Sequence, residues 1–417
     1  MQRRRRALAS LALAAALLAT GRPYPSEAAA MSLDECLALA MEQHPALEGA
    51  RASLGAQSAR LDQVRAANAL TASITASTSR QTGAEQGWST ALTATKLLSD
   101  SGRSELERRS QGLAIDSAEE SLRDVALSVR KGVKDAYFAL LLCGLKRDQA
   151  AEAVATYEKH LEKARGFYEA GAKAKFDVTK AEVDLGNARI ALVSAQAALA
   201  SAQAALSNAT GARLGTVEPV TGFLPPRPLP DEAVAVELAM ENRPDLRSAR
   251  LRAESGRLSI AIAAKGDAAT VSISGSASLS GSDWPLDDSF RATLSLSAPV
   301  FDGGLTDARV AEARFVAKGA EATLRQARQT ALYEVRTALL SVREAEARIP
   351  AAELLVRQAE ESMVLAEGRY DTGVGNVLEV ADAVLAFNAA KVGLFQARHD
   401  YSAALAALER TLGGELE

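Results

Sequence analysis

Ala40-Met41-Glu42-Gln43-His44-Pro45-Ala46-Leu47 returns further along the chain as Ala239-Met240-Glu241-Asn242-Arg243-Pro244-Asp245-Leu246. Tyr168-Glu169-Ala170-Gly171 likewise returns as Tyr370-Asp371-Thr372-Gly373, and Gly211 as Gly413. The offset stays at about 200 residues, the mark of duplication rather than of chance. Between the copies stand Pro219, Pro225, Pro226, Pro228 and Pro230; each lacks an N–H and fixes φ, so this stretch cannot be helical. The chain therefore divides into a first copy over 31–211, a Pro-rich linker over 212–230 and a second copy over 231–417.

Residues 1–30 read as a cleaved secretory leader. Arg3 to Arg6 supply a positive n-region, Leu8 to Thr20 an apolar h-region, and Ala28-Ala29-Ala30 a small-residue cleavage site. The apolar run is too short for a bilayer span, which needs roughly 20 residues. No other long apolar stretch is expected, so membrane entry would require a closed β-barrel. Two cysteines, Cys36 and Cys143, exclude a disulfide framework, and Cys36 reads as a buried thiol. His44, His160 and His399 lack ligand spacing, and a net charge of −4 leaves no footprint for nucleic acid. Aromatics at 4% with abundant alanine point away from one large core and towards close-packed, elongated helices.

Each copy carries the same order of elements. A helical stretch of roughly 35 residues opens at Ser32 and again near Asp231, both fit to cap it. Two short alternating segments follow, then a very long helix (about 102–168 and 305–370), a Gly-containing turn and a closing helix of roughly 35 residues. At 1.5 Å per residue the long helix spans on the order of 100 Å, out of scale with a compact domain. In the closing helices Val178, Leu185, Leu192, Leu199 and Leu206 recur every seven residues, with Ala181, Ala188, Ala195, Ala202 and Ala209 three positions on. Val380, Phe387, Leu394, Tyr401 and Leu408 repeat the first row, and Ala383, Ala390, Ala397 and Ala404 the second. A period of seven is a coiled-coil seam, and its alanine row allows close approach.

The alternating segments discriminate further. Leu70, Ala72, Ile74 and Ala76 alternate with Thr71, Ser73, Thr75 and Ser77. Val271, Ile273, Ala277 and Leu279 alternate with serines, and Phe290, Ala292, Leu294, Leu296 and Ala298 with Arg291, Thr293, Ser295 and Ser297. Trp88 to Leu97 alternates more loosely. Such segments fit barrel strands with lipid on one side and water on the other. Four strands cannot close a barrel; a dimer would bring eight and a trimer twelve, and the pattern does not choose. The fold class is thus mainly α with a small β part.

At Leu294-Ser295-Leu296-Ser297-Ala298-Pro299-Val300-Phe301-Asp302-Gly303-Gly304 the chain resembles the TolC family of outer-membrane efflux proteins, where this motif ends the second strand pair and opens the long helix. Gly368-Arg369-Tyr370-Asp371-Thr372-Gly373 with Val377-Leu378-Glu379-Val380-Ala381-Asp382-Ala383 resembles that family's periplasmic tip, and Asp400-Tyr401, Ala404-Leu405 and Gly413 its final helix. The resemblance implies a homotrimer: a β-barrel of four strands per chain closed by trimerisation in the outer membrane, in contact with its lipid, and long coiled-coil hairpins forming an α-barrel tunnel into the periplasm. It implies a periplasmic adaptor (membrane fusion protein) and an inner-membrane pump or ABC exporter as partners, with efflux or type I secretion as the task.

The same resemblance assigns site residues. Glu379 and Asp382 match the pore gate; three apart on a helix, they share a face, and three-fold symmetry would gather six carboxylates into a cation-attracting ring. The competing reading is a solvated helix face. Asp177 and Tyr370 match contacts that hold the tip closed. Ala170, Gly171, Ala172, Thr372, Gly373 and Val374 match the tips that dock the adaptor, although their residues differ from the usual pattern. Gly375 stands where the family carries a basic residue, with Lys173 or Lys175 as the available substitutes. In the first copy Lys96-Leu97-Leu98-Ser99-Asp100-Ser101-Gly102 keeps the aspartate and glycine of the strand-to-helix turn and loses its proline. No catalytic set, phosphate loop, metal cluster or cofactor motif is present, so an enzyme is not expected. The rival function is a soluble periplasmic coiled-coil adaptor or scaffold.

Overall fold

The computed structural model describes residues 29–80 and 86–415. The expected leader therefore lies outside the described residues apart from its last two. In chain order the elements are β1 (Ala29–Met31), α1 (Leu33–Gln43), α2 (Pro45–Ala67), β2 (Thr71–Ser79), β3 (Gly87–Ser99), α3 (Arg103–Glu169) and α4 (Lys175–Thr210). There follow β4 (Val217–Pro219), α5 (Glu232–Asn242), α6 (Pro244–Ala263), β5 (Thr270–Gly281), β6 (Asp287–Ser297), α7 (Leu305–Asp371) and α8 (Val377–Leu412). The two long helices are 67 residues each and the two closing helices 36 each.

The first stretch of each copy differs from expectation: it is two helices, not one. His44 (ψ 125°) and Arg243 (ψ 119°) leave the helical region because each precedes a proline, whose ring clashes with a helical residue before it. Pro45 and Pro244 then open the next helix, where a missing N–H costs nothing. Ser32 caps α1 with a full capping box, its hydroxyl accepting from the Glu35 N–H. Asp231 occupies the equivalent place before α5 but makes no side-chain cap bond. Helix α7 runs through Pro350 without interruption.

The described residues gather into two compact units: those within Met1–His44, Val129–Arg227 and Ser341–Ala406 form one, and those within Pro45–Ser128, Pro228–Leu340 and Ala407–Glu417 the other. In the first, β1 and β4 pair in parallel, Ala29 opposite Val217 and Met31 opposite Pro219. Tyr137, fully buried, fastens this pair to α3: its hydroxyl donates to the Met31 carbonyl (3.0 Å) and accepts from the Thr221 N–H (2.8 Å). The linker lies along α8, the Arg227 N–H donating to the Tyr401 hydroxyl (3.0 Å) and the Leu224 N–H to Ser402 Oγ (3.0 Å). A second expectation fails here, because α4 is long and apolar enough, by length and composition, to cross a membrane. Its apolarity is that of the heptad rows, and Ala181, Leu185, Ala188, Ala202 and Leu206 are its buried seam.

The second unit holds a four-stranded antiparallel sheet in the order β2-β3-β5-β6, so the two strand pairs join through β3 and β5. Its register sorts the side chains onto two faces. One carries Ile74, Leu92, Ala277 and Phe290 in a row, with Ile273 and Leu294 in another. The opposite face carries Ser73, Thr93, Ser276 and Arg291, with Ser77, Ser89 and Ser280 further along. The apolar face is bare: Ile74 is 71% exposed, Phe290 80% and Leu296 72%.

An ion cluster around the buried Arg243 anchors this unit. Arg243 grips Asp245 with two bonds (Nε–Oδ1 3.0 Å, Nη2–Oδ2 2.7 Å) and reaches Glu334 on α7 (2.7 Å). Burial works against the charge of Asp245, but its bonds to Arg243 outweigh that and hold its carboxyl below the usual range. Beside it, burial raises Asp124 despite Arg410 at 3.9 Å.

Candidate functional site

The two helical turns of the first unit have the same construction. After α3, the Gly171 N–H bonds the Tyr168 carbonyl (2.9 Å) and the Ala172 N–H the Phe167 carbonyl (2.9 Å), with Gly171 at φ 73°. After α7, Gly373 (φ 80°) bonds Tyr370 and Val374 bonds Arg369, each at 3.0 Å. Only glycine takes such a left-handed φ without steric cost, which fixes both helix ends. The predicted docking residues Ala170, Gly171, Ala172, Thr372, Gly373 and Val374 are all exposed on these turns.

Gly375 has a local reason to be glycine. A Cβ there would sit 3.0 Å from the Tyr370 nitrogen and 3.1 Å from the Arg369 carbonyl carbon. Any side chain here would push the Arg369–Tyr370 backbone aside by a few tenths of an ångström. Lys173 from the other turn reaches this place: its Nζ donates to the Gly375 carbonyl (3.0 Å) and lies 4.9 Å from the centre of the Tyr370 ring.

Tyr370 is buried beside Phe167 (ring centroids 5.7 Å, edge to face), Val380 and Val384. Its hydroxyl is buried and lacks a partner in hydrogen-bond geometry. Burial first, and then the nearby Asp177 carboxylate, push its pKa up. Asp177 and Tyr370 are thus neighbours.

Three contacts lace the first-copy hairpin to the second. His160 Nε2 meets Glu367 Oε1 at 2.9 Å, Lys163 holds both carboxylate oxygens of Asp371 at 2.9 and 3.0 Å, and Lys173 holds Gly375. None of these was singled out from sequence apart from Lys173. Their separations of 207, 208 and 202 residues nearly equal the repeat offset, so charges at equivalent places in the two copies were the available signal.

Glu379 and Asp382 both stand exposed on the first turns of α8. Glu379 lies 3.4 Å from Arg369 Nε, and its backbone N–H donates to Asn376 Oδ1 (2.9 Å). Asp382 lines a shallow groove with Asp184, Ala188, Leu385 and Ala389. Asp184, bonded to Lys180, is a carboxylate that sequence reasoning did not connect with Asp382. Among the described residues no cluster of three or more His, Cys, Asp or Glu is fit to hold a metal. The geometry supports an exposed helix surface that carries carboxylates and lysines in close alternation beside a tightly laced tip.

The sequence model of the outer membrane efflux protein family matches residues 36–212 and 235–414, both copies in turn. The chain is similar to outer membrane protein TolC of Vibrio cholerae serotype O1, 24% identical over 330 residues that cover 74% of each chain. It is similar to outer membrane protein OprJ of Pseudomonas aeruginosa, 30% identical over 182 residues, 42% of this chain and 38% of that one. Among solved structures, the CmeC outer membrane channel of Campylobacter jejuni aligns over 92% of this chain and 86% of its own, with TM-score 0.83 at 16% identity. CusC aligns over 92% of each chain, with TM-score 0.83 at 20% identity. At these identities the likeness establishes the fold.

Proposed function

The chain belongs to the outer membrane efflux protein family, and we propose that it works as a homotrimeric channel-tunnel for efflux or type I secretion. The family is one of channels rather than enzymes, and its members reside in the outer membrane. The sheet carries the proposal. Its order leaves β2 and β6 as outer strands, and its apolar face is bare. In hydrocarbon each unpaired backbone group costs several kcal/mol, so β6 of one copy must pair with β2 of the next. Three copies of four strands give a barrel of twelve with lipid on its apolar face, and the paired hairpins give a tunnel of twelve helices.

Within that assembly the exposed turns at Ala170, Gly171, Ala172, Thr372, Gly373 and Val374 receive a periplasmic adaptor, which links the duct to an inner-membrane pump or ABC exporter. Glu379 and Asp382 gather around the three-fold axis as the gate. Asp177, Tyr370 and Lys173 hold the tip shut, with the Lys173 ammonium at the Gly375 carbonyl supplying the positive charge that position 375 lacks. The test is the ion selectivity of pores reconstituted in a planar bilayer. Replacing Glu379 and Asp382 together by alanine lowers preference for potassium over chloride several-fold and weakens block by divalent cations. Unchanged selectivity would remove these carboxylates from the gate.

A further inference from the structure

The polar face of the sheet is nearly without charge. Along it run Thr71, Ser73, Thr75 and Ser77 of β2; Ser89, Thr93 and Thr95 of β3; and Ser272, Ser274, Ser276, Ser278 and Ser280 of β5. On β6 the same face reads Asp287, Ser289, Arg291, Thr293, Ser295 and Ser297. Arg291 is therefore the one cation among the paired residues of this face. Ser276 stands directly opposite it, Thr93 beyond that, and Ser289 and Thr293 flank it along the strand.

No carboxylate on this face is closer along the strand than Asp287, four residues away, or about 13 Å at 3.3 Å per residue. Arg291 is exposed, in the middle of β6 rather than at a loop, where charged side chains normally concentrate. Strand β2, which meets β6 of the next copy on closure, brings only hydroxyls on this face and so no counter-ion.

From this placement we infer that Arg291 forms a ring of three guanidinium groups inside the barrel, a second selectivity element that favours anionic cargo groups and retards cations there. The inference rests on the trimeric-duct reading above. Twelve strands spaced about 4.8 Å apart and tilted about 40° enclose a wall of radius about 12 Å. An extended arginine reaches roughly halfway to the axis, so each charge lies within about one Debye length of it at physiological salt. A ring at that distance acts on every ion that passes, whereas an arginine on the outer face would meet lipid. It is opposite in sign to the Glu379 and Asp382 pair and to Asp287 further along the same face, so the net preference of the pore is a balance between this ring and those carboxylates.

The measurement is the reversal potential of reconstituted pores under a potassium chloride gradient, for the wild type, R291Q, R291K and the Glu379→Ala, Asp382→Ala double variant. R291Q is expected to raise the potassium-to-chloride permeability ratio at least two-fold, R291K to keep the wild-type value, and the double variant to move the ratio the other way. Block by pyrophosphate, added to the side the barrel faces, is expected to weaken in R291Q and persist in R291K. A trimeric R291Q pore with wild-type reversal potential and wild-type pyrophosphate block overturns the ring and leaves the duct intact. A wild type that yields no pore overturns the duct itself.

Discussion

Helices α4 and α8 close the two copies with the same length and the same heptad rows, yet they differ in what covers them. On α8, Val384, Tyr401, Leu405 and Leu408 are fully buried, and the linker backbone bonds to Tyr401 and Ser402. On α4, Val183, Ile190 and Val193 stand 54%, 68% and 65% exposed. The heptad seam is buried in both helices; outside it α4 leaves Val183, Ile190 and Val193 bare, while of their counterparts on α8 Leu385 is 63% exposed and Val392 and Phe395 are half-buried. A bare row of that length on a soluble surface invites association, and in the trimeric reading the next copy covers it.

The sharpest way to break this comparison is one substitution in each helix. Val384→Asp places a charge in a fully buried position of the chain's own core and is expected to cost roughly 3–5 kcal/mol, abolishing the folded chain. Ile190→Asp leaves the chain folded and removes the trimer. Protease resistance and native mass in mild detergent separate the two outcomes, and loss of folding in both would show that α4 is core after all.

A second contrast lies at the paired helix breaks, Arg243 in one copy and His44 in the other. Arg243→Ala strands the Asp245 and Glu334 carboxylates, half-exposed though they are, and is expected to cost about 3 kcal/mol, at the low end for a broken buried pair. His44→Ala is expected to cost under about 1 kcal/mol. The pH dependence follows from Asp245. Its folded pKa lies below the unfolded value, so its contribution is present above the ordinary carboxylate range and fades as pH falls below about 4. Asp124, raised by burial, works in the opposite sense: its charged form is disfavoured in the folded state, and its contribution fades as pH rises through its folded pKa. Heat denaturation followed against pH is expected to show an acid-side loss that Arg243→Ala reduces.

The smallest contrast is between the glycines that end α3 and α8. Both have positive φ, 73° at Gly171 and 83° at Gly413. A Cβ at Gly413 would lie 2.7 Å from the Asn242 carbonyl carbon and 2.8 Å from the Arg243 nitrogen, while at Gly171 it meets nothing within 4 Å. Gly413→Ala is expected to cost about 2–3 kcal/mol and Gly171→Ala about 1 kcal/mol, the strain of the left-handed conformation alone. Equal melting temperatures for the two variants would contradict that close approach.

Element type and order were legible in sequence because repetition, period and turn glycines all agreed. The break at His44-Pro45 was written there too, in the residue before a proline, and was masked by the apolar pattern on either side. The strand faces were readable from alternation, and Gly171, Gly373 and Gly413 from their place after helical runs. What stayed hidden depends on distant parts of the chain. That Lys173 reaches the Gly375 carbonyl requires two turns to meet, and the tight space at Gly375 comes from the Arg369 and Tyr370 backbone. His160 and Glu367 carry no local motif, since their meeting is a property of one hairpin packed on another.

The most direct test of the account is the native mass of the protein extracted in mild detergent from the outer-membrane fraction. A protein–detergent complex holding three chains is the predicted result, since four strands close a membrane barrel only with partners. A monomer recovered from the soluble periplasmic fraction would contradict it, because the bare face of the sheet would then be no membrane surface and the duct would have no wall.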